Sequence, residues 1–313
     1  MTRQIVALFF SLISHTVVCG QDEPAIFTSD IDNFWIAFDS LQTIKDKDTQ
    51  VEVMQSLYID KGTYGLKMFM EFRHFDAGKL VESINKHPKF WQSIRGNTLK
   101  VKEVIPTIET NIKKFKALYP DLRPAKMYFT ITPTRAAGVA QDSLALIGSE
   151  IALGDEHTDV SEFPDKRLAN FFKSKSTSNI IPVAAHEYVH TQQKSEGKSL
   201  LGQSIYEGAC DFIAELVLKK LLTNSYLEYG RKNEKMLKDQ FKKEMLAGDY
   251  SNWLYNGSTS KTMGDLGYFM GYSICKSYYR HSKDKRAAIK NIIQLDYADQ
   301  SAVTQFLADS KYY

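Results

Sequence analysis

The chain has 313 residues, 43 % of them hydrophobic and 25 % charged, with a formal net charge of +3. That composition can bury a large core, and a balance so near neutrality argues against nucleic acid or an anionic membrane as the main partner. With only 3 cysteines there is no disulfide framework, so stability must come from packing.

The N-terminus carries Arg3 and an apolar run from Ile5 to Val18, then Cys19-Gly20 and the polar Gln21-Asp22-Glu23-Pro24. This is the pattern of a secretory signal peptide over residues 1–20, and the run is too short to span a bilayer. Cleavage is expected after Gly20, because Val18 stands where a lipobox takes a small residue; acylation of Cys19, a lipid anchor, is the competing reading. Removing 1–20 takes away Arg3 and no acid, so +3 becomes +2 and no transmembrane segment remains. The mature chain is expected to be secreted or periplasmic, with Cys210 and Cys275 left; Cys210 reads as a small core residue.

Residues 21–122 read as a helical N-terminal lobe. Asp30 or Asp32 can cap a helix through Phe34–Phe38, and Val51–Tyr58, Leu66–Phe75, Ala77–Lys86 and Val101–Leu118 continue the pattern. Gly62–Gly65, His87-Pro88 and Gly96-Asn97 punctuate it. His74 and His87 stand alone and read as structural. Arg73 and Arg95 sit among apolar neighbours and suit either substrate binding or structural ion pairs.

Residues 123–313 read as the catalytic domain. Beyond Pro120 and Pro124, Lys126–Thr132 reads as a strand, and Leu144–Ile147 and Glu150–Leu153 as two more, forming a small mixed sheet. An edge strand there can pair with an extended peptide, or the sheet merely supports the next helix. Gly154–Ser178 reads as a polar, partly helical connection with His157 facing solvent.

That next helix contains Ala184-Ala185-His186-Glu187-Tyr188-Val189-His190. Residues four apart share a helix face, so His186 and His190 aim two imidazoles at one point. Glu187 lies beside that face and can reach a water there without being a ligand. Two neutral nitrogen ligands plus a carboxylate base is the layout of a zinc hydrolase. The flanking Ile180, Ile181, Val183 and Val189 make the helix too apolar for the surface, and buried polar groups need partners. Pro182 falls in its first turn, where its missing N–H costs nothing.

Zinc needs a third protein ligand. Gln203–Leu216 reads as a returning helix with Glu207, Asp211 and Glu215 near one face. Glu207 as ligand and Asp211, one turn on, accepting from a histidine Nδ1–H would complete the site. Glu196 is the rival ligand, though Lys194, Ser195, Gly197 and Lys198 around it suggest a solvated turn. Tyr268 and Tyr272, four apart on Asp265–Cys275, are candidates to donate to a developing oxyanion, or else core tyrosines. Ser251–Gly257 reads as a loop with exposed aromatics, Asn224–Ala247 as a charged helix or two, and Arg286–Tyr313 as two short helices.

The Glu207/Asp211 spacing resembles the thermolysin-like zinc peptidases, or gluzincins. The metzincin pattern is absent, since Gln193 and Glu196 stand where its glycine and third histidine fall. Phe34-Trp35, Gly62–Leu66, Pro88–Arg95, the His186–His190 motif, Glu207–Leu216 and Gly267–Tyr272 together look like a family of predicted secreted zinc-dependent proteases, related to gliding-motility lipoproteins of Bacteroidetes-type bacteria. The expectation is an α+β protein, mostly helical, with a thermolysin-like zincin core: a zinc metallopeptidase acting on a peptide or protein substrate. A non-catalytic cell-envelope interaction protein with a structural zinc site is the alternative, and a zinc amidase or esterase a third reading.

Overall fold

The structure, a computed structural model, describes residues 26–164, 167–172, 180–257 and 259–313. The expected signal segment, Cys19 and its cleavage point lie outside the described residues, as does part of the connection ending at Ser178.

The class is α+β, mostly helical, with one small mixed sheet. Helix α1 (Ser29–Leu41) buries Ile31, Phe34, Trp35, Phe38 and Leu41, a spacing that lays one apolar stripe on the core. Neither proposed aspartate caps it. Thr28 holds the N-cap position; Asp30 is buried and accepts from the Thr63 N–H and hydroxyl at 2.8 and 2.6 Å; and Asp32 pairs with Lys102. Thr63 itself caps α3 (Tyr64–Arg73), so Asp30 ties the two helix starts together. Between them, α2 (Lys47–Met54) is capped by Asp46 and continues as a π-helical turn over Gln55–Ile59. Helices α4 (Ala77–Lys86) and α6 (Val101–Leu118) fall where the periodicity places them.

Gly96-Asn97 does not break the chain: both residues lie inside α5 (Pro88–Leu99). Pro88 opens that helix, and burial of Phe90, Trp91 and Ile94 outweighs the propensity cost of one glycine. Arg95 forks onto Asp39 at 2.5 and 2.8 Å and covers the Trp35 ring, the structural alternative for that arginine.

The sheet order is β1 (Ile26–Phe27), β2 (Lys126–Thr130), β4 (Leu144–Gly148), β3 (Gly138–Gln141). The first three run parallel, and β3 is antiparallel to β4 at the edge, with Gly138 opposite Ile147. Glu150–Leu153 is not a strand; α7 (Ser149–Ala152) occupies it. The reason is the Glu150 carboxylate, fully buried and accepting the Thr132 N–H at 3.0 Å and hydroxyl at 2.5 Å, which requires the chain to turn after Gly148.

After α8 (Arg167–Phe172) come the helices that matter for the site: α9 (Ile180–His190), α10 (Leu200–Leu218), α11 (Ser225–Glu244) and α12 (Leu266–His281). Helices α10 and α12 touch backbone to backbone. A Cβ on Gly271 would lie 1.6 Å from the Ser204 carbonyl oxygen, and one on Gly208 2.0 Å from the Tyr272 nitrogen. Helices α13 (Lys285–Gln294) and α14 (Gln300–Ser310) close the chain. Among the described residues, one apolar cluster extends from Ile31 to Tyr312. No described helix is long and apolar enough to cross a membrane.

Candidate metal centre

Helix α9 is anchored on its apolar face. Ala184 and Tyr188 are buried, Tyr188 packs edge-on against Phe115 of α6, and its hydroxyl accepts from the Ala125 N–H at 3.2 Å. The opposite face therefore points His186 and His190 at α10. Helix α10 is buried on all sides over Leu200–Ala214, with Ser199 as its N-cap, so the carboxylates of Glu207 and Asp211 are held inside the protein.

Three ligand atoms converge. The Nε2 atoms of His186 and His190 are 3.1 Å apart, and Glu207 Oε2 lies 3.3 and 3.2 Å from them. Both Nδ1 atoms are already committed, to Asp211 Oδ1 at 2.9 Å and to Gln193 Oε1 at 2.7 Å. Each partner is oriented in turn. Tyr226 donates to Asp211 Oδ2 at 2.9 Å, while the Gln193 amide donates to the Tyr206 carbonyl and the Tyr297 hydroxyl. With Nδ1–H donated outward, two imidazole lone pairs and a carboxylate oxygen face one another, which is repulsive without a cation or shared proton. The edges of a zinc tetrahedron with bonds of about 2.0–2.1 Å are about 3.3–3.4 Å, close to the observed triangle. The donor set fits zinc, in both spacing and chemistry.

Among the described residues, Cys210 also brings a donor atom close to the two histidines. Its Sγ lies within 4.8 Å of a donor atom of each histidine, but its thiol is directed at the Tyr206 carbonyl and at Gln193 Oε1, the oxygen that also faces His190 Nδ1, whereas Glu207 Oε2 is 3.2–3.3 Å from both Nε2 atoms. Burial pushes the thiol well above its ordinary range, which keeps it protonated. Glu207 is the better third ligand on both counts. Glu196 is exposed on the turn after α9, away from this buried triangle.

Charges in the site are tightly coupled. Burial alone would lower His186, but the Asp211 and Glu207 carboxylates outweigh it and raise it well above the usual imidazole range. Burial alone would raise Glu207, yet the two imidazoles hold it far below the usual carboxylate range. Glu187 goes the other way: burial raises it, and the charges of the two histidines only partly oppose that. Its carboxylate is pressed against the edge strand, where a Cβ on Gly138 would lie 2.3 Å from Oε1.

The tyrosines separate. Tyr268 lies over His186, ring centroids 6.2 Å apart, and touches Tyr226 and Tyr255. Tyr272 is turned away: its hydroxyl donates to Glu215 at 2.8 Å and receives a hydrogen bond from Lys276 at 2.5 Å. A one-turn step along α12 therefore carries it from the histidines to a separate ion pair between Glu215 and Lys276. The residue that spacing did not single out is Tyr255. Its hydroxyl donates to Glu207 Oε1 at 2.5 Å. The loop is not simply an exposed one, either. Trp253 is buried and donates to Glu244, whereas the Tyr255 ring is exposed with only its hydroxyl inserted. Gln193 was also missed: it lies beyond the end of α9, and the turn closed by its N–H on the His190 carbonyl at 3.1 Å brings it back to that imidazole.

Residues 28–245 match the family model of the gliding motility protein GldB. The chain belongs to the GldB family. The matched segment contains His186, Glu187, His190, Glu207 and Asp211, and ends before Tyr255, Tyr268 and Tyr272. This is a lipoprotein family, so the GldB-family chain is an exported protein of the cell envelope. No curated protein and no solved structure matches the chain.

Proposed function

We propose that this GldB-family protein is a zinc metallopeptidase of the cell envelope, with a zincin-like arrangement of α9, α10 and the sheet. The observation that carries the reading is the convergence of His186, His190 and Glu207, with the Glu187 carboxylate seated beside them on Gly138. His186, His190 and Glu207 would hold zinc, which when bound supplies Lewis acidity and lowers the pKa of a coordinated water.

The chain's own residues have the following roles in this reading. Asp211 and Gln193 fix the two imidazole tautomers, so that both Nε2 atoms face inward. Glu187 is not a ligand; buried and with a raised pKa, it accepts the proton of the attacking water and passes it to the leaving amine. The exposed edge of β3, which begins at Gly138 beside Glu187, offers backbone groups to an extended peptide. Tyr268, whose ring lies over His186, would donate to a developing oxyanion in this reading.

A second reading has its own support. The family match by itself favours a non-catalytic envelope component of gliding motility; in that reading any metal held by His186, His190 and Glu207 would be structural. The position of Glu187 favours catalysis, because a purely structural site gains nothing from a free carboxylate beside the metal. Glu187→Gln separates the two. Zinc stoichiometry should stay at the wild-type level, while hydrolysis of a peptide library falls by about 10²–10⁴-fold. Equal cleavage by both proteins would rule out the general base, and zinc binding without cleavage in either would favour the envelope component.

Family membership also supports a lipid on Cys19 over simple cleavage after Gly20. Mass spectrometry of the native N-terminus distinguishes an acylated Cys19 from a free Gln21.

A further inference from the structure

The Glu207 carboxylate has two oxygens, and only Oε2 faces the imidazoles. The other, Oε1, is held by the Tyr255 hydroxyl at 2.5 Å, and Gln203 Nε2 donates to that hydroxyl at 2.6 Å. Gln203 and Glu207 are one turn apart on α10, so the phenol is clamped between a donor and an acceptor of the same helix. A charge-assisted bond of this length fixes the rotation of the carboxylate.

The backbone around Tyr255 is shaped for this contact. Tyr255 has φ of 57°, a left-handed conformation disfavoured for a residue with a Cβ. The next residue, Asn256, closes a reciprocal clasp with Asp265: Asn256 N donates to Asp265 Oδ1 at 3.0 Å and Asp265 N to Asn256 Oδ1 at 2.7 Å. Asp265, also left-handed at φ 61°, leads directly into α12 and Tyr268. Tyr255 remains 56 % exposed, so it contributes little to the core. The contribution of this strained, largely exposed side chain to the site is its hydroxyl.

We infer that Tyr255 is a positioning residue that holds Glu207 in a one-oxygen pose toward the metal, with the Asn256–Asp265 clasp holding Tyr255. The inference rests on the zinc reading above.

The test is zinc affinity measured by chelator competition on the full mature chain, for wild type, Tyr255→Phe and Asn256→Ala. Tyr255→Phe keeps the ring and removes only the hydroxyl. It should weaken zinc binding by about 10–100-fold, the usual effect of losing a group that orients a ligand. The rise in melting temperature that zinc confers should shrink in parallel, while circular dichroism of the metal-free protein stays as in wild type. Asn256→Ala, which leaves the phenol but opens the clasp, should fall between the two. Wild-type zinc affinity in both variants overturns the role of Tyr255 and leaves the metal site standing. Failure of wild type itself to bind zinc overturns the metal reading and this inference with it.

Discussion

Gly138 and Glu187 are in direct contact: a single carbon added to Gly138 would fall 2.3 Å from Oε1 and 2.6 Å from Cδ of the carboxylate. Gly138 is fixed by its pairing with Ile147 in the sheet, so the carboxylate must move instead. Gly138→Ala should therefore leave folding and zinc content close to wild type and lower kcat/KM for peptides by about 10²-fold, the cost of displacing a catalytic group by about 1 Å. Unchanged kinetics would mean that catalysis does not depend on where Glu187 sits.

Metal analysis of alanine variants tests the ligand set. His186→Ala, His190→Ala and Glu207→Ala should each abolish zinc binding at micromolar protein. Asp211→Ala and Gln193→Ala should weaken it by about 10–100-fold, since they only orient imidazoles. Glu196→Ala and Cys210→Ser should bind as wild type. Loss of zinc in Cys210→Ser with retention in Glu207→Ala would move the third ligand to the sulfur.

Glu150 gives the fold a pH dependence of its own. Burial pushes its carboxyl up to about 7, against 4.5 ordinarily, with the Thr132 hydrogen bonds only partly opposing. The folded state thus holds this proton more tightly than the unfolded chain. Its stabilising contribution is complete below pH 4.5, falls as pH rises toward 7, and is flat above. The total loss is about 3 kcal/mol. Denaturant titrations of wild type and Glu150→Gln between these limits should diverge, the variant lacking this falling limb. Parallel curves would show that Glu150 is not protonated in the folded protein.

Two glycines in helices should respond oppositely to alanine. Gly271→Ala places Cβ 1.6 Å from the Ser204 carbonyl oxygen, backbone that cannot yield without separating α10 from α12. It should cost at least about 2 kcal/mol by chemical denaturation. Gly96→Ala meets nothing within 4 Å and should stabilise by about 0.5–1 kcal/mol, through helix propensity alone. Similar effects at the two positions would contradict the close packing of α10 on α12.

The local parts of the site were determined by the sequence itself. His186 and His190 share a face because the helix repeats every 3.6 residues, and that relation holds wherever the helix is placed. Glu207 and Asp211 follow the same rule on a second helix, joined to the first through residues 191–199. The class of the fold was legible for the same reason, since helical periodicity over ten or more residues leaves few alternatives.

What only the tertiary structure decided are the contacts between segments with no shared period. Tyr255 reaches Glu207 across 48 positions, and no spacing rule predicts that a left-handed loop residue will insert its hydroxyl there. Tyr268 and Tyr272 are equivalent by spacing, yet one lies over His186 and the other serves Glu215, because their neighbours on α10 and α11 differ. Strands β2 and β4 fall where the sequence places them, but β1 and β3 were not legible, for a related reason. β3 is four residues with little alternation, and β1 is two, so each exists only because β4 and β2 supply its hydrogen bonds. Glu150–Leu153 has a strand's composition, but a buried carboxylate seeking the Thr132 N–H and hydroxyl turns it into a helix. Local periodicity fixes which residues share a face; partner and burial decide which of them meet across the fold.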